Sequence, residues 1–323
     1  MMMTALKQTS VRISRLDRTL ITAVVLLSSI FPVELFSNTP PAAKGLDGQY
    51  SGKQGQVLVI TVKGEEQATE VKGTFLKRTI PFFREFRPGE PTGHIGLLGI
   101  DMQDEPGTYE LAVEVRQGEQ AKQLSFDVLV AKEKFAVEHL TLPKAKVDLD
   151  EKGAARWKAE QQSVQQALAE NSRLKLWHSN FVEPVNGKRT GIFGSVRIMN
   201  GQARNPHNGE DIGAPMGADV AATNDGIVRI TVDHIFSGKG VFIDHGLGFY
   251  TMYFHLSEVL VKDGDLVTAG QIIGKVGATG RATGPHLHWG VKLNGARVNP
   301  YSLLDLPFKN GSTPSKYSDC SHS

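Results

Sequence analysis

The side chains best suited to chemistry fall in three short pieces of the C-terminal half. In Pro206-His207-Asn208-Gly209-Glu210-Asp211 a histidine and an aspartate stand four apart. A helix would put both on one face, but Pro206, Gly209, Gly213 and Pro215 oppose one. The pair therefore belongs to a loop or strand edge, bent so that imidazole and carboxylate converge. In Gly284-Pro285-His286-Leu287-His288-Trp289-Gly290-Val291 alternate residues of a strand share a face, so His286 and His288 line one surface while Leu287, Trp289 and Val291 point into the core. In Tyr250-Thr251-Met252-Tyr253-Phe254-His255-Leu256 the apolar face is Tyr250, Met252 and Phe254. Thr251, Tyr253 and His255 then take the other face, and His255 becomes a third cleft-facing imidazole.

Four histidines and one aspartate are the donor set of zinc or another borderline divalent ion. Cys320 is the only cysteine, so neither an intrachain disulfide nor a cysteine cluster can form and a metal must be held by His and carboxylate. A structural zinc closes its tetrahedron with four protein ligands. A catalytic one keeps three and leaves a place for water, whose pKa falls to about 7. Three ligands from five candidates leave two histidines for other work, and strand alternation alone lets either His286 or His288 bind.

The elements that must position these residues follow from patterning. A chain of 323 residues suits about two domains. Lys7, Arg12, Arg15 and Arg18 precede the apolar run Leu20 to Phe31, the order of a secretory signal, so residues 1–38 read as a signal peptide or an N-terminal anchor. An uncleaved anchor would associate the protein with the inner membrane. After a linker rich in Pro and Ala, strands are expected at Val57–Val62 (buried on both sides), Gly73–Ile80, Thr108–Val115 and Gln123–Val130, forming an immunoglobulin-like β-sandwich over residues 46–142. His94 and His139 are isolated within it. Asp150 can cap a helical connector over residues 150–176. Short β-rich runs punctuated by glycine then fill an all-β domain over residues 177–305, with strands at Ile227–Val232, Val241–Asp244, Tyr250–Phe254, Ile272–Val276 and His288–Leu293. Glycine-rich loops at 238–240 and 277–284 are placed to wall a groove. Val261–Gly277 reads as paired strands turning at Asp263-Gly264 and Ala269-Gly270, like half of a biotinyl or lipoyl carrier domain. Lys262 and Lys275 lie beside those turns rather than at a tip, so the carrier reading fails. Residues 306–323 read as a disordered tail.

Residues 181–304 closely resemble the catalytic domain of the lysostaphin or LytM type of zinc peptidase, in the group found in Gram-negative envelopes. The resemblance is carried by His207/Asp211, by Tyr253-Phe254-His255-Leu256 and by Thr283-Gly284-Pro285-His286-Leu287-His288-Trp289-Gly290-Val291. It implies an antiparallel β peptidase domain with one Zn2+ on His207, Asp211 and His288, and with His255 and His286 as catalytic partners. Tyr253 and Thr283 are the candidates for contacts to substrate. The implied activity is hydrolysis of peptide cross-links in bacterial peptidoglycan, in the periplasm or cell envelope. The alternative is a silent member that binds the wall or activates an amidase; silent members lack ligands, and every ligand position is filled here.

Composition excludes another class. With 36 basic against 34 acidic residues the formal charge is +2, far from the positive field nucleic-acid binding requires. The remaining charged candidates take plainer readings. His178, His234, His245 and His322 fall at a domain entry, in polar or turn segments and in the tail, and Arg189, Arg197 and Arg204 read as solvated surface charge.

Overall fold

The computed structural model describes residues 48–85, 93–141, 149–170, 172–306 and 308. The expected signal or anchor over 1–38 and nearly all of the expected tail over 306–323 lie outside the described residues. Among the described residues no helix is long and apolar enough to cross a membrane.

The N-terminal module holds β1 (Gln49–Lys53), β2 (Val57–Lys63), β3 (Glu70–Phe75), β4 (Arg78–Glu85), β5 (Gly93–Gly99), β6 (Gly107–Gln117) and β7 (Gln120–Ala131). They pair in one path, β1-β7-β6-β3-β4-β5-β2. β4 pairs with β3 through Pro81 and with β5 from Phe82, so it carries the path from one layer to the next. The strands enclose a core that includes Leu58, Ile60, Phe75, Ile80, Leu98, Leu111 and Val128. Where Gly73–Ile80 was expected as one strand, there are two. Leu76 and Lys77 take φ of 45° and 66°, the left-handed pair of a tight hairpin turn. Strand β5 escapes the sequence pattern because Gly93, Gly96 and Gly99 interrupt its alternation, yet every residue in it is buried, His94 included.

The two-sided burial expected of β2 has a specific cause. Leu58, Ile60 and Val62 face the module's own core. Val57, together with Ile95 and Leu97 of β5, packs instead against Trp177, Phe181, Phe249, Val291 and Leu293 of the C-terminal module. A partly buried ion pair reinforces this joint: Arg297 donates to Asp101 through Nε at 3.0 Å and Nη2 at 2.7 Å, and its backbone N–H donates to the same carboxylate at 2.7 Å.

Asp150 caps the connector helix, Glu151–Ala169, by accepting from the Gly153 N–H at 2.8 Å. The helix is shorter than the expected 150–176: residues 172–176 are not helical, and they lead to the buried Trp177.

The C-terminal module is built on one antiparallel sheet. In spatial order its strands are β18 (Leu266–Val267), β14 (Gly226–His234), β15 (Gly238–Gly246), β16 (Phe249–Leu256), β20 (Leu287–Leu293), β12 (Gly209–Gly213) and β9 (Lys188–Gly191), with β21 (Ala296–Arg297) beside β20. A small sheet, β13 (Asp219–Ala221), β19 (Ile272–Lys275) and β17 (Glu258–Val259), lies over one face. Val220, Ile273 and Val276 of that layer meet Ile212, Val241, Tyr253, Leu287 and Trp289 in a common core. The turns at Asp263-Gly264 and Ala269-Gly270 form as expected. The two short strands between and after them do not pair with each other, however: β18 adds to β14, and β19 to β13 and β17. A third sheet joins the modules, since β8 (Val137–Leu140), assigned to the sandwich by the boundary at 142, runs parallel to β10 (Val196–Met199), which pairs with β11 (Gln202–Ala203).

The Asp101–Arg297 pair gives a test of the joint. Burial would raise the Asp101 carboxyl, but the hydrogen bonds and charge of Arg297 outweigh it and lower its pKa from 3.8. A depressed carboxyl contributes stability that is present above the unfolded value and lost as pH falls through the folded one. Arg297→Ala should lower unfolding free energy by about 1 to 2 kcal/mol near neutral pH, the guanidinium being partly solvated. In denaturant titrations at several pH values, that difference should shrink as pH drops below 3.8.

Candidate metal centre

Strand pairing sets the geometry of the site. Across β12 and β20 Asp211 stands directly opposite His288, and across β16 and β20 His288 stands opposite Phe254, the residue before His255. His207 reaches the same point from the loop before β12, held by its N–H to the Ser195 carbonyl at 2.9 Å. His207 Nε2 lies 2.9 Å from Asp211 Oδ1 and 2.9 Å from His288 Nδ1, and His288 Nδ1 lies 2.8 Å from Asp211 Oδ1. All three residues are buried.

The protonation chemistry of this cluster fits a cation. His207 Nδ1 is 3.1 Å from the Ile192 carbonyl, which can only accept, so in the neutral ring the proton sits on Nδ1 and Nε2 turns its lone pair inward. That lone pair meets a carboxylate oxygen and a second ring nitrogen. Three electron-rich atoms so close call for one positive centre, and two imidazole nitrogens with a carboxylate oxygen suit a borderline divalent ion. Burial disfavours ionised Asp211, but when the rings of His207 and His288 are protonated in place of a cation their hydrogen bonds and charges outweigh it and hold the carboxyl well below its ordinary range. Burial lowers the His288 imidazole against the opposing pull of Asp211.

Two further imidazoles border the cluster. His255 has φ of 63°, a left-handed conformation uncommon outside glycine, so it breaks the alternation of β16 and leaves the face of Thr251 and Tyr253. Its Nδ1 is 2.8 Å from the Thr279 carbonyl, which leaves Nε2 as the free lone pair. Burial, then His288 and His286, push this ring down to about 3, so it is neutral in ordinary conditions. His286 Nδ1 likewise lies 2.9 Å from the Gly284 carbonyl, and its Nε2 is 3.8 Å from Asp211 Oδ1. The His255 and His286 ring centroids are 4.7 Å apart.

The five candidates therefore come together, while the two substrate candidates diverge. Thr283 is exposed on the loop before His286. Tyr253 is fully buried: its hydroxyl bonds the Thr251 hydroxyl at 2.9 Å and accepts from the Thr223 N–H at 2.9 Å. Thr251 in turn meets the His245 ring at 2.8 Å, and burial pushes that imidazole down to about 4. Thus β16 turns Thr251 and Tyr253 inward and leaves Met252 and Phe254 on the cleft side, the reverse of the expected faces, because a hydrogen-bonded chain satisfies the buried hydroxyls.

Several contributors carried no readable signal. Arg197, expected as solvated charge, donates through Nη2 to Asp211 Oδ2 at 2.8 Å and bonds Glu138 at 3.3 Å. That leaves Asp211 Oδ1 to face the histidines. Arg189 is likewise engaged, donating to the fully buried Glu210 at 2.6 Å and 3.2 Å. Glycine makes room for two ligands: a Cβ at Gly191 would collide with the Asp211 carboxylate, and one at Gly209 would lie 2.6 Å from His288 Nε2.

The site opens into a cleft of about 580 Å3 lined by His207, His255 and His288, by Phe242, Met252 and Phe254 of the open sheet face, and by Trp157, Glu160 and Val164 of the connector helix. The groove walls expected at 238–240 and 277–284 are braced together, Lys239 N–H donating to Thr279 Oγ1 at 3.0 Å.

With this geometry in view, the profile of peptidase family M23 matches residues 205–300, a span holding all five of these residues. A solved structure described as a putative peptidase M23 from Pseudomonas aeruginosa is 32% identical, with 78% of this chain and 94% of that one covered at a TM-score of 0.60. The chain belongs to peptidase family M23. The family resemblance read in the sequence is thereby borne out. Among curated M23-region relatives, peptidoglycan DD-endopeptidase ShyA of Vibrio cholerae is 48% identical over 94 residues, 29% of this chain and 22% of that protein. DD-carboxypeptidase/endopeptidase Mpg of Neisseria meningitidis is 43% identical over 97 residues, 30% of this chain and 22% of that protein. This chain thus matches about a fifth of the length of these relatives.

Gly191→Ala tests the packing of this M23 site. The methyl group displaces the Asp211 carboxylate, so metal affinity measured by chelator competition should fall by about 10- to 100-fold while the far-ultraviolet circular dichroism is kept.

Proposed function

We propose that this chain is a zinc endopeptidase that hydrolyses peptide cross-links of bacterial peptidoglycan. The observation that carries the reading is the convergence of His207 Nε2, Asp211 Oδ1 and His288 Nδ1 within 2.9 Å of one another, beside His286, whose Nε2 is 3.8 Å from Asp211 Oδ1, and His255, whose ring centroid is 6.1 Å from that of His288. Family membership and the endopeptidase names of ShyA and Mpg support the choice of substrate.

His207, Asp211 and His288 would hold one Zn2+. When bound, the ion lowers the pKa of water and polarises a carbonyl oxygen. The chain's own residues handle protons and orientation. His255, neutral and anchored through Nδ1 to Thr279, presents Nε2 to accept a proton from water in the cleft. His286, anchored through Nδ1 to Gly284 with its ring 4.7 Å from that of His255, steadies the charge that grows on the scissile oxygen in the form that carries a proton on Nε2. Arg197 keeps the second oxygen of Asp211 occupied, and Thr283, whose exposure supports the role, would contact the peptide.

The same reading places the protein in the envelope of a Gram-negative bacterium. Its support is the basic-then-apolar order of Lys7 to Phe31 and the cell-wall names of the relatives. The N-terminal module enters it as an immunoglobulin-like sandwich, on the support of seven strands around one core.

Full-length protein should carry about one zinc per chain and release peptide fragments from purified peptidoglycan, detected by mass analysis. His207→Ala should lose both metal and fragment release, and chelation should silence the unaltered protein until zinc is restored. Undiminished lysis by metal-free protein would overturn the reading.

A further inference from the structure

We propose that Arg281 is the carboxylate-binding residue of the cleft, taking a free carboxylate of the bound peptide. This deepens the peptidase reading above and rests on it for the identity of the ligand. Arg281 lines the same cleft as His207, His255 and His288. Its backbone N–H donates to the Phe236 carbonyl at 2.7 Å, and its guanidinium stacks 4.2 Å from the centroid of the Phe236 ring. Gly280, with φ of 70°, lies so close to Phe236 and Gly238 that no Cβ would fit. The loop is therefore clamped to the β14–β15 turn, and the guanidinium is held in place before any ligand arrives.

Other arginines around the C-terminal module are spoken for. Arg197 is engaged by Asp211 and Glu138, Arg189 by Glu210, Arg229 by Asp244 and Arg297 by Asp101. Among the described residues no carboxylate pairs with Arg281. The connector-helix acid in the cleft lining, Glu160, already accepts from Arg156 at 2.7 Å and from the Ile235 N–H at 3.1 Å. Burial disfavours the charge of Arg281, and Arg197 and Arg204 disfavour it further. A half-buried guanidinium keeps most of its five planar donors and gives up part of its hydration. A carboxylate matches that planar fork with two parallel hydrogen bonds and supplies the missing charge, whereas a carboxamide can do only part of this. Two carboxylates could serve, the α-carboxylate at the end of a peptide or a side-chain carboxylate within it.

Calorimetric binding to the zinc-loaded full chain decides between them without depending on turnover. The probes are an uncrosslinked peptidoglycan stem peptide with free carboxylates, the same peptide amidated at the C-terminus alone, one amidated at the side chain alone, and one amidated at both. The doubly amidated form and one of the singly amidated forms should bind roughly 10- to 100-fold more weakly than the acid, and the singly amidated form that does so names the carboxylate. Arg281→Gln should erase that difference by weakening the acid while leaving the doubly amidated peptide unchanged, and Arg281→Lys should restore part of it. Equal binding of acid and doubly amidated peptide by the unaltered protein, equal losses for both in Arg281→Gln, or no binding of any probe would each overturn the proposal. Failure of the hydrolase reading is seen separately, as absent fragment release from cross-linked peptidoglycan.

Discussion

The pairing of β12 with β20 in one register is the constraint on which the site depends. It sets Asp211 opposite His288, and residues so paired have Cβ atoms only about 4.5 to 5.5 Å apart, close enough to share one ion. A slip of one residue would send one of the two to the opposite face. The register is protected by the other face of β20, where Leu287 and Trp289 are fully buried under the small sheet. Core burial therefore specifies the chemistry indirectly: the face that repays a slip with lost hydrophobic area is the reverse of the face that binds the ion.

Crowding several polar groups at one point has consequences for their neighbours. The Asp211 carboxylate fits only because Gly191 has no side chain, and His288 only because Gly209 has none. Each histidine is then oriented by a carbonyl or a strand rather than by a second acid: Ile192 for His207, Thr279 for His255, Gly284 for His286. Carbonyls fix the tautomer without adding negative charge. Arg197 does add a charge, and it draws one Asp211 oxygen away from the cluster and leaves a single oxygen facing it.

Most of this arrangement was legible where side chains obey period two. His286 and His288 with Leu287, Trp289 and Val291 followed alternation, and the five metal and proton-handling candidates do converge. Alternation fails in β16 because apolarity does not mark its inner face. Tyr253, Thr251 and His245 satisfy one another and can be buried together, whereas Met252 and Phe254 line the cleft. Contacts between residues far apart in sequence left no trace in the pattern. Arg197 touching Asp211 depends on β10, and Gly191 depends on the pairing of β9 with β12, neither of which any local spacing encodes. In the N-terminal module β5 was hidden for a related reason: three glycines blur its pattern, and its burial comes from the neighbouring module as much as from its own.

That shared burial ties the N-terminal module to the catalytic strand. The inward face of β20 continues from Leu287 and Trp289 to Val291 and Leu293, but the latter pair packs under Val57, Ile95 and Leu97 rather than under the small sheet. Two residues beyond the Leu293 turn, β21 brings Arg297 to Asp101. The strand that carries His288 is thus clamped along its length by two different partners. Removing the N-terminal module would uncover Val291, Leu293, Phe249 and Trp177 together, a contiguous apolar patch that isolated soluble domains avoid. The module is accordingly part of the platform that holds the site's central strand, and the connector helix adds no fully buried residue to that platform.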